Sequence, residues 1–161
     1  KTPNVVNDLP PFKNFNLTMQ ETKFFAQVTE LLADAKTKGQ ISNKARAMQF
    51  PNQPILYQVA GIEPADMHCP ISWYDICPDR ILELDYLTVT KDTIEVVMYY
   101  SLDPQEEESL NSFYRPGKTS VLSDIERHLK LSGRYRLAAK IPVPTAGNAD
   151  LSVYFLNKGE K

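Results

Sequence analysis

The stretch Arg134-Tyr135-Arg136-Leu137-Ala138-Ala139-Lys140-Ile141-Pro142 decides the fold class. Tyr135, Leu137, Ala139 and Ile141 alternate with Arg134, Arg136 and Lys140, the period-two pattern of a strand with one face on a core. Pro142 and Pro144 stop it, a polar loop over 145–150 follows, and Leu151, Val153 and Phe155 resume the alternation. Two such runs joined by a short loop read as an antiparallel hairpin over 134–157.

Working towards the N-terminus, Arg80–Thr90 and Thr93–Leu102 read as a second hairpin, 81–102, turning at Lys91-Asp92. Apolar parity switches between Tyr86 and Leu87, as one inserted residue produces. Ile94, Val96, Val97, Met98, Tyr99 and Tyr100 are apolar on both faces, the mark of a central strand. Thr18 and Glu21 form a T-x-x-E capping box ahead of Phe24, Phe25, Val28, Leu31, Leu32 and Ala35, which recur at helical spacing, and Gly39 stands at the C-cap; a helix over 19–37 follows. Asp103-Pro104 with Glu106, Glu107 and Glu108 starts another helix. Val121, Leu122, Ile125 and Leu129 define a third over 119–131, closed by Gly133. Residues 42–48 suit one or two helical turns, and Ile55–Ala60 reads as a short strand ended by Gly61. The expected class is α+β: an antiparallel sheet of four to five strands with helices packed on one face.

A chain of 161 residues with 42% hydrophobic and 24% charged residues is one ordinary globular domain, placed at 18–161. Residues 1–17, rich in Pro and Asn, read as an extended tether of the kind that links a domain to a membrane anchor or signal sequence. No apolar run approaches a membrane span. Eighteen Lys and Arg stand against 20 Asp and Glu, net −2. That balance argues against a nucleic-acid partner, since phosphate-neutralising domains are basic.

Cys69 and Cys77, the only two cysteines, lie in a Pro-flanked stretch that also holds His68 and the only Trp, Trp73. Three readings fit: a disulfide closing a short loop, two reduced buried thiols, or metal or haem ligands. The first is preferred, because two cysteines leave none over; it implies an oxidising compartment, periplasmic or secreted. No catalytic motif accompanies them. Arg127, His128, Lys130, Arg134, Arg136 and Lys140 cluster without an acid among them, and strand parity puts Arg134, Arg136 and Lys140 on one face. That face suits an anionic surface or an acidic protein partner. Glu83, Asp85, Asp92 and Glu95 on the earlier hairpin are its candidate neutralising partners across the sheet. Tyr86, Met98, Tyr100 and Tyr135 are candidates to line a pocket for a small apolar ligand.

These residues imply a non-enzymatic interaction or sensing domain outside the cytoplasm, near a membrane, with no cofactor or metal. It binds a protein partner or a small apolar ligand. The competing classes are a small cytosolic cysteine-dependent enzyme or regulator and an inhibitor or immunity-type binding protein.

Overall fold

The computed structural model describes residues 5–6, 16–50, 54–65, 94–101, 105, 121–144 and 149–158. In chain order these form β1 (Val5–Val6), β2 (Asn16–Leu17), α1 (Met19–Thr37), β3 (Arg46–Phe50), α2 (Pro54–Ala60), β4 (Glu63–Pro64), β5 (Val96–Tyr100), α3 (Val121–Leu131), β6 (Tyr135–Pro142) and β7 (Asp150–Leu156). The class is α+β. Strands β4-β3-β5-β7-β6 make one open five-stranded sheet, and β1 pairs with β2 in a separate antiparallel ribbon.

Helix α1 begins as its sequence dictates. Glu21 N donates to Thr18 Oγ1 at 3.2 Å and Thr18 N donates to Glu21 Oε2 at 2.7 Å, completing the capping box. The backbone and side-chain bonds from Thr18 hold the Glu21 carboxyl below its usual pKa. Phe24, Val28, Leu32 and Ala35 are buried along one side. Gly39, at φ 69°, turns the chain out of the helix. Replacing Thr18 by Ala leaves an N-terminal donor unmet and is expected to cost about 1 kcal/mol, read as a lower midpoint in chemical denaturation.

The hairpin over 134–157 forms as the alternation requires, with β6 antiparallel to β7. Elsewhere the sheet departs from expectation. It is mixed: β3 runs parallel to both β4 and β5, so β3-α2-β4 is a compact βαβ unit. Residues 46–50 are a central strand rather than helical turns. Their intrinsic helix preference yields to burial on both faces, with Ala47 in one core cluster and Met48 and Phe50 in the other.

Ile55–Ala60 is helical, not a strand. Pro54 stands at its first position, and Leu56, Val59 and Ala60 are buried at i, i+3, i+4 spacing. Gly61, at φ 56°, ends α2, with Ile62 N donating to Tyr57 O at 3.1 Å. Strand β5 has β3 on one edge and β7 on the other, where a hairpin over 81–102 expects residues 81–90. That first strand, its parity switch and the helix starting at Asp103-Pro104 lie outside the described residues.

Helices cover both faces of the sheet, not one. On the first face α1 and α2 bury Val96, Met98, Tyr100, Leu151, Val153 and Phe155. On the second, Ile125 and Leu129 of α3 pack on Val97, Tyr99, Tyr135 and Tyr154. Tethers lock α1 to α2 from outside the core: Thr29 Oγ1 donates to Val59 O at 3.1 Å and Lys36 Nζ to Gly61 O at 3.0 Å.

Candidate binding surface

Between Arg127 and Ala149 the chain carries Arg127, Lys130, Arg134, Arg136 and Lys140 and no acidic residue, in a molecule of net charge −2. Positive charge is thus concentrated on the end of α3 and on β6, one of the two edge strands of the sheet. The α3–β6 turn is rigidly held: Asn157 N donates to Arg134 O at 2.7 Å and Asn157 Nδ2 to Gly133 O at 2.6 Å. Both bonds tie the turn to the end of β7.

The cations differ in what they can offer. Arg127 is exposed on α3. Lys130 pairs with Glu126 at 2.5 Å, and that hydrogen bond raises its pKa. His128 is half-buried, its ring edge-on to Tyr135 at 6.5 Å, and burial lowers its pKa below the usual histidine value. It therefore adds no full positive charge at neutral pH. Arg134 is half-buried in the turn. Arg136 lies with its guanidinium 5.3 Å from the centre of the Phe155 ring, a cation–π contact that fixes the side chain against the edge of the sheet. Among the described residues neither Arg136 nor Lys140 has a carboxylate partner.

Strand parity is broken within β6. Arg136 pairs with Phe155 and Leu137 with Tyr154, but the register then shifts, so that Ala139 pairs with Val153 and Lys140 with Ser152. Ala138 is the extra residue of a bulge. One inserted residue reverses the faces, so Arg136 points to the α1 side with Phe155, and Lys140 to the α3 side with Ser152 and Tyr154. The single basic face expected for Arg134, Arg136 and Lys140 does not form; the cations flank the edge on both sides. Leu137, 47% exposed, shares the α3 side with Lys140, and Leu131, 77% exposed, ends α3.

Glu95 does not neutralise this strip. Its carboxylate accepts from Ser42 N at 2.9 Å, from Ser42 Oγ and from Lys158 Nζ at 2.9 Å. Burial raises its pKa, but the bonds from Lys158 and Ser42 outweigh that and leave it lowered. A depressed folded-state pKa contributes stability that is present above the unfolded value, about 4.3 for Glu, and is lost as pH falls through the folded value. The expected result is that Glu95→Gln flattens the acid limb of the stability–pH curve below about pH 4.5, measured by urea denaturation at stepped pH. Glu83, Asp85 and Asp92 lie outside the described residues.

The candidate ligand pocket does not assemble. Met98 and Tyr100 are buried in the cluster under α1, and Tyr135 in the cluster under α3, with the sheet between them. Burial pushes the Tyr100 phenol up to about 12 and, against the pull of Arg134, the Tyr135 phenol to about 12, so both stay protonated at neutral pH. Tyr135 donates to Ile94 O at 3.1 Å. These are core side chains. Tyr86 lies outside the described residues, as do Cys69, Cys77, His68 and Trp73.

A cleft of about 360 Å³ opens between α1 and the end of β6. Gln20, Lys23 and Gln27 of α1 line it opposite Pro142, Val143 and Pro144, with Phe24 beneath. Their i, i+3, i+7 spacing was visible; what they face depends on where β6 ends.

No protein-family model, no curated protein and no solved structure matches the chain.

Proposed function

We propose that this chain is a non-enzymatic contact domain that binds an acidic protein partner through the basic strip of α3 and β6, outside the cytoplasm and beside a membrane. The observation that carries the reading is the run from Arg127 to Ala149, free of acid, whose cations fall on α3, its turn and the edge strand β6, with Arg136 and Lys140 lacking carboxylate partners among the described residues. A cation presented without an internal counter-charge steers an anionic partner and sets its register. The even cysteine pair supports an oxidising compartment, and the Pro- and Asn-rich opening supports attachment near a surface. A small apolar ligand at Met98, Tyr100 and Tyr135 has less support, because those side chains are core.

The test compares immobilised wild type with the double variant R136E/K140E as bait for crosslinked extract proteins. The expected result is a partner retained at low salt, released as salt approaches about 0.5 M, and absent from the variant. Identical partner sets on both baits overturn the reading.

A further inference from the structure

Charges on opposite faces of one strand are an awkward way to build a flat basic surface. A partner lying against the α1 side reaches Arg136 and misses Lys140; one lying against the α3 side does the reverse. Only a partner that approaches β6 edge-on meets both. Strand β6 is an edge strand of an open sheet, with β7 on one side and no strand on the other among the described residues. Such an edge directs backbone N–H and C=O groups outward along its length.

We propose that the outer edge of β6 takes an extended acidic segment of the partner as a sixth strand, its carboxylates engaging Arg136 on one face and Lys140 on the other. This rests on the acidic-partner reading above and gives it a binding mode. The existing neighbour shows the register. Arg136 and Lys140 stand opposite Phe155 and Ser152, residues three positions apart on β7, because the bulge at Ala138 shortens the match. A strand on the other edge that follows the same register meets the two cations with residues three apart. An odd spacing also puts their side chains on opposite faces. The partner segment therefore carries two acids with two residues between them.

The same features select against a second copy of this chain. Two antiparallel β6 edges can set Arg136 only against the α1-side residues and Lys140 only against the α3-side residues of the other copy, so a register that brings either cation opposite its own counterpart puts like charges across the strand pair, which is unfavourable. The bulge, the charges and Pro142 are the devices by which an edge avoids indiscriminate pairing. Here they leave an edge closed to its own kind and open to an extended chain of opposite charge.

The probe is a capped peptide as long as β6 (8 residues), made of Thr and Val with two Glu three positions apart. Its controls are the same peptide with alternate backbone N–H groups methylated, and an isomer with the Glu two positions apart. The expected result is saturable binding of the first peptide, binding at least about tenfold weaker for the methylated form, which loses several hydrogen bonds, and binding about two- to fivefold weaker for the isomer, which loses one exposed charge contact. Amide exchange over 135–142 slows only with the first peptide. Equal binding by the methylated form, equal binding by the isomer, or no binding by any peptide overturns strand addition. The wider reading is judged separately: a partner that is eluted by salt and lost from R136E/K140E stands even if strand addition fails.

Discussion

Replacing Phe155 by Ala is expected to cost about 3–5 kcal/mol, a large part of the ~5–15 kcal/mol that holds an ordinary domain folded. Phe155 is 1% exposed and belongs to the cluster that α1 buries. It stands mid-sheet on β7, with Val96 of β5 as its ladder partner on one side and Arg136 of β6 on the other. Truncation removes the ring from beneath α1 and leaves a cavity that the flanking strands, hydrogen-bonded on both sides, cannot collapse to fill. It also takes away the surface on which Arg136 rests.

Urea denaturation measures the first effect, and the midpoint should fall with little change in slope. Phe155→Leu, which keeps most of the volume, should lose far less and keeps the test readable if the Ala variant fails to fold. A loss below about 1.5 kcal/mol for Phe155→Ala contradicts the seating of α1 on β7, because only a side chain that is not part of a packed core is so cheaply removed.

The parts of the fold legible in the sequence are those in which a local signal and the tertiary environment agree. Helix α1 has a capping box, a helical stripe and a left-handed glycine, all reporting one element, and it spans the expected residues. The β6–β7 hairpin has apolar–polar alternation on both strands, interrupted at Ala138-Ala139. Where local and global preferences conflict, the tertiary environment decides. Arg46–Phe50 carries helix-favouring residues but fills the slot between β4 and β5. Pro54–Ala60 is too short for periodicity to separate strand from helix, and its i, i+3, i+4 burial emerges only once α1 is present to bury it.

The site shows the same division. Composition alone concentrates the cations near the C-terminus of the chain, and the structure keeps them on adjoining elements. Which faces they occupy was not legible, because Ala138-Ala139 carries none of the Gly or Pro that usually marks a bulge. One silent insertion converts an expected basic face into a basic edge, and with it the kind of partner that fits.

The second large effect tests the covering of the far side of the sheet. Leu129→Ala is expected to destabilise the domain by about 2–5 kcal/mol. Leu129 is 1% exposed and, with Ile125, supplies the side chains by which α3 contacts Val97, Tyr99, Tyr135 and Tyr154. A helix confined with α1 and α2 to the first face leaves those aromatic residues without this cover, and its Leu129 could then be trimmed at little cost. The neighbouring Leu131→Ser is the internal control. That side chain ends the same helix at 77% exposure and should change stability by no more than about 0.5 kcal/mol. Amide exchange separates a local from a global loss: Leu129→Ala should speed exchange in α3 and at the second-face positions of β5 and β7 before it affects α1. Because β6 also presents Tyr135 and Leu137 to this side, loosening α3 should weaken the grip on the strand whose outer edge is proposed to receive the partner. Peptide binding should therefore fall in Leu129→Ala and stay unchanged in Leu131→Ser. Equal losses in the two variants contradict a second, helix-covered face, since both truncate a leucine of α3 and only Leu129 is buried against the sheet.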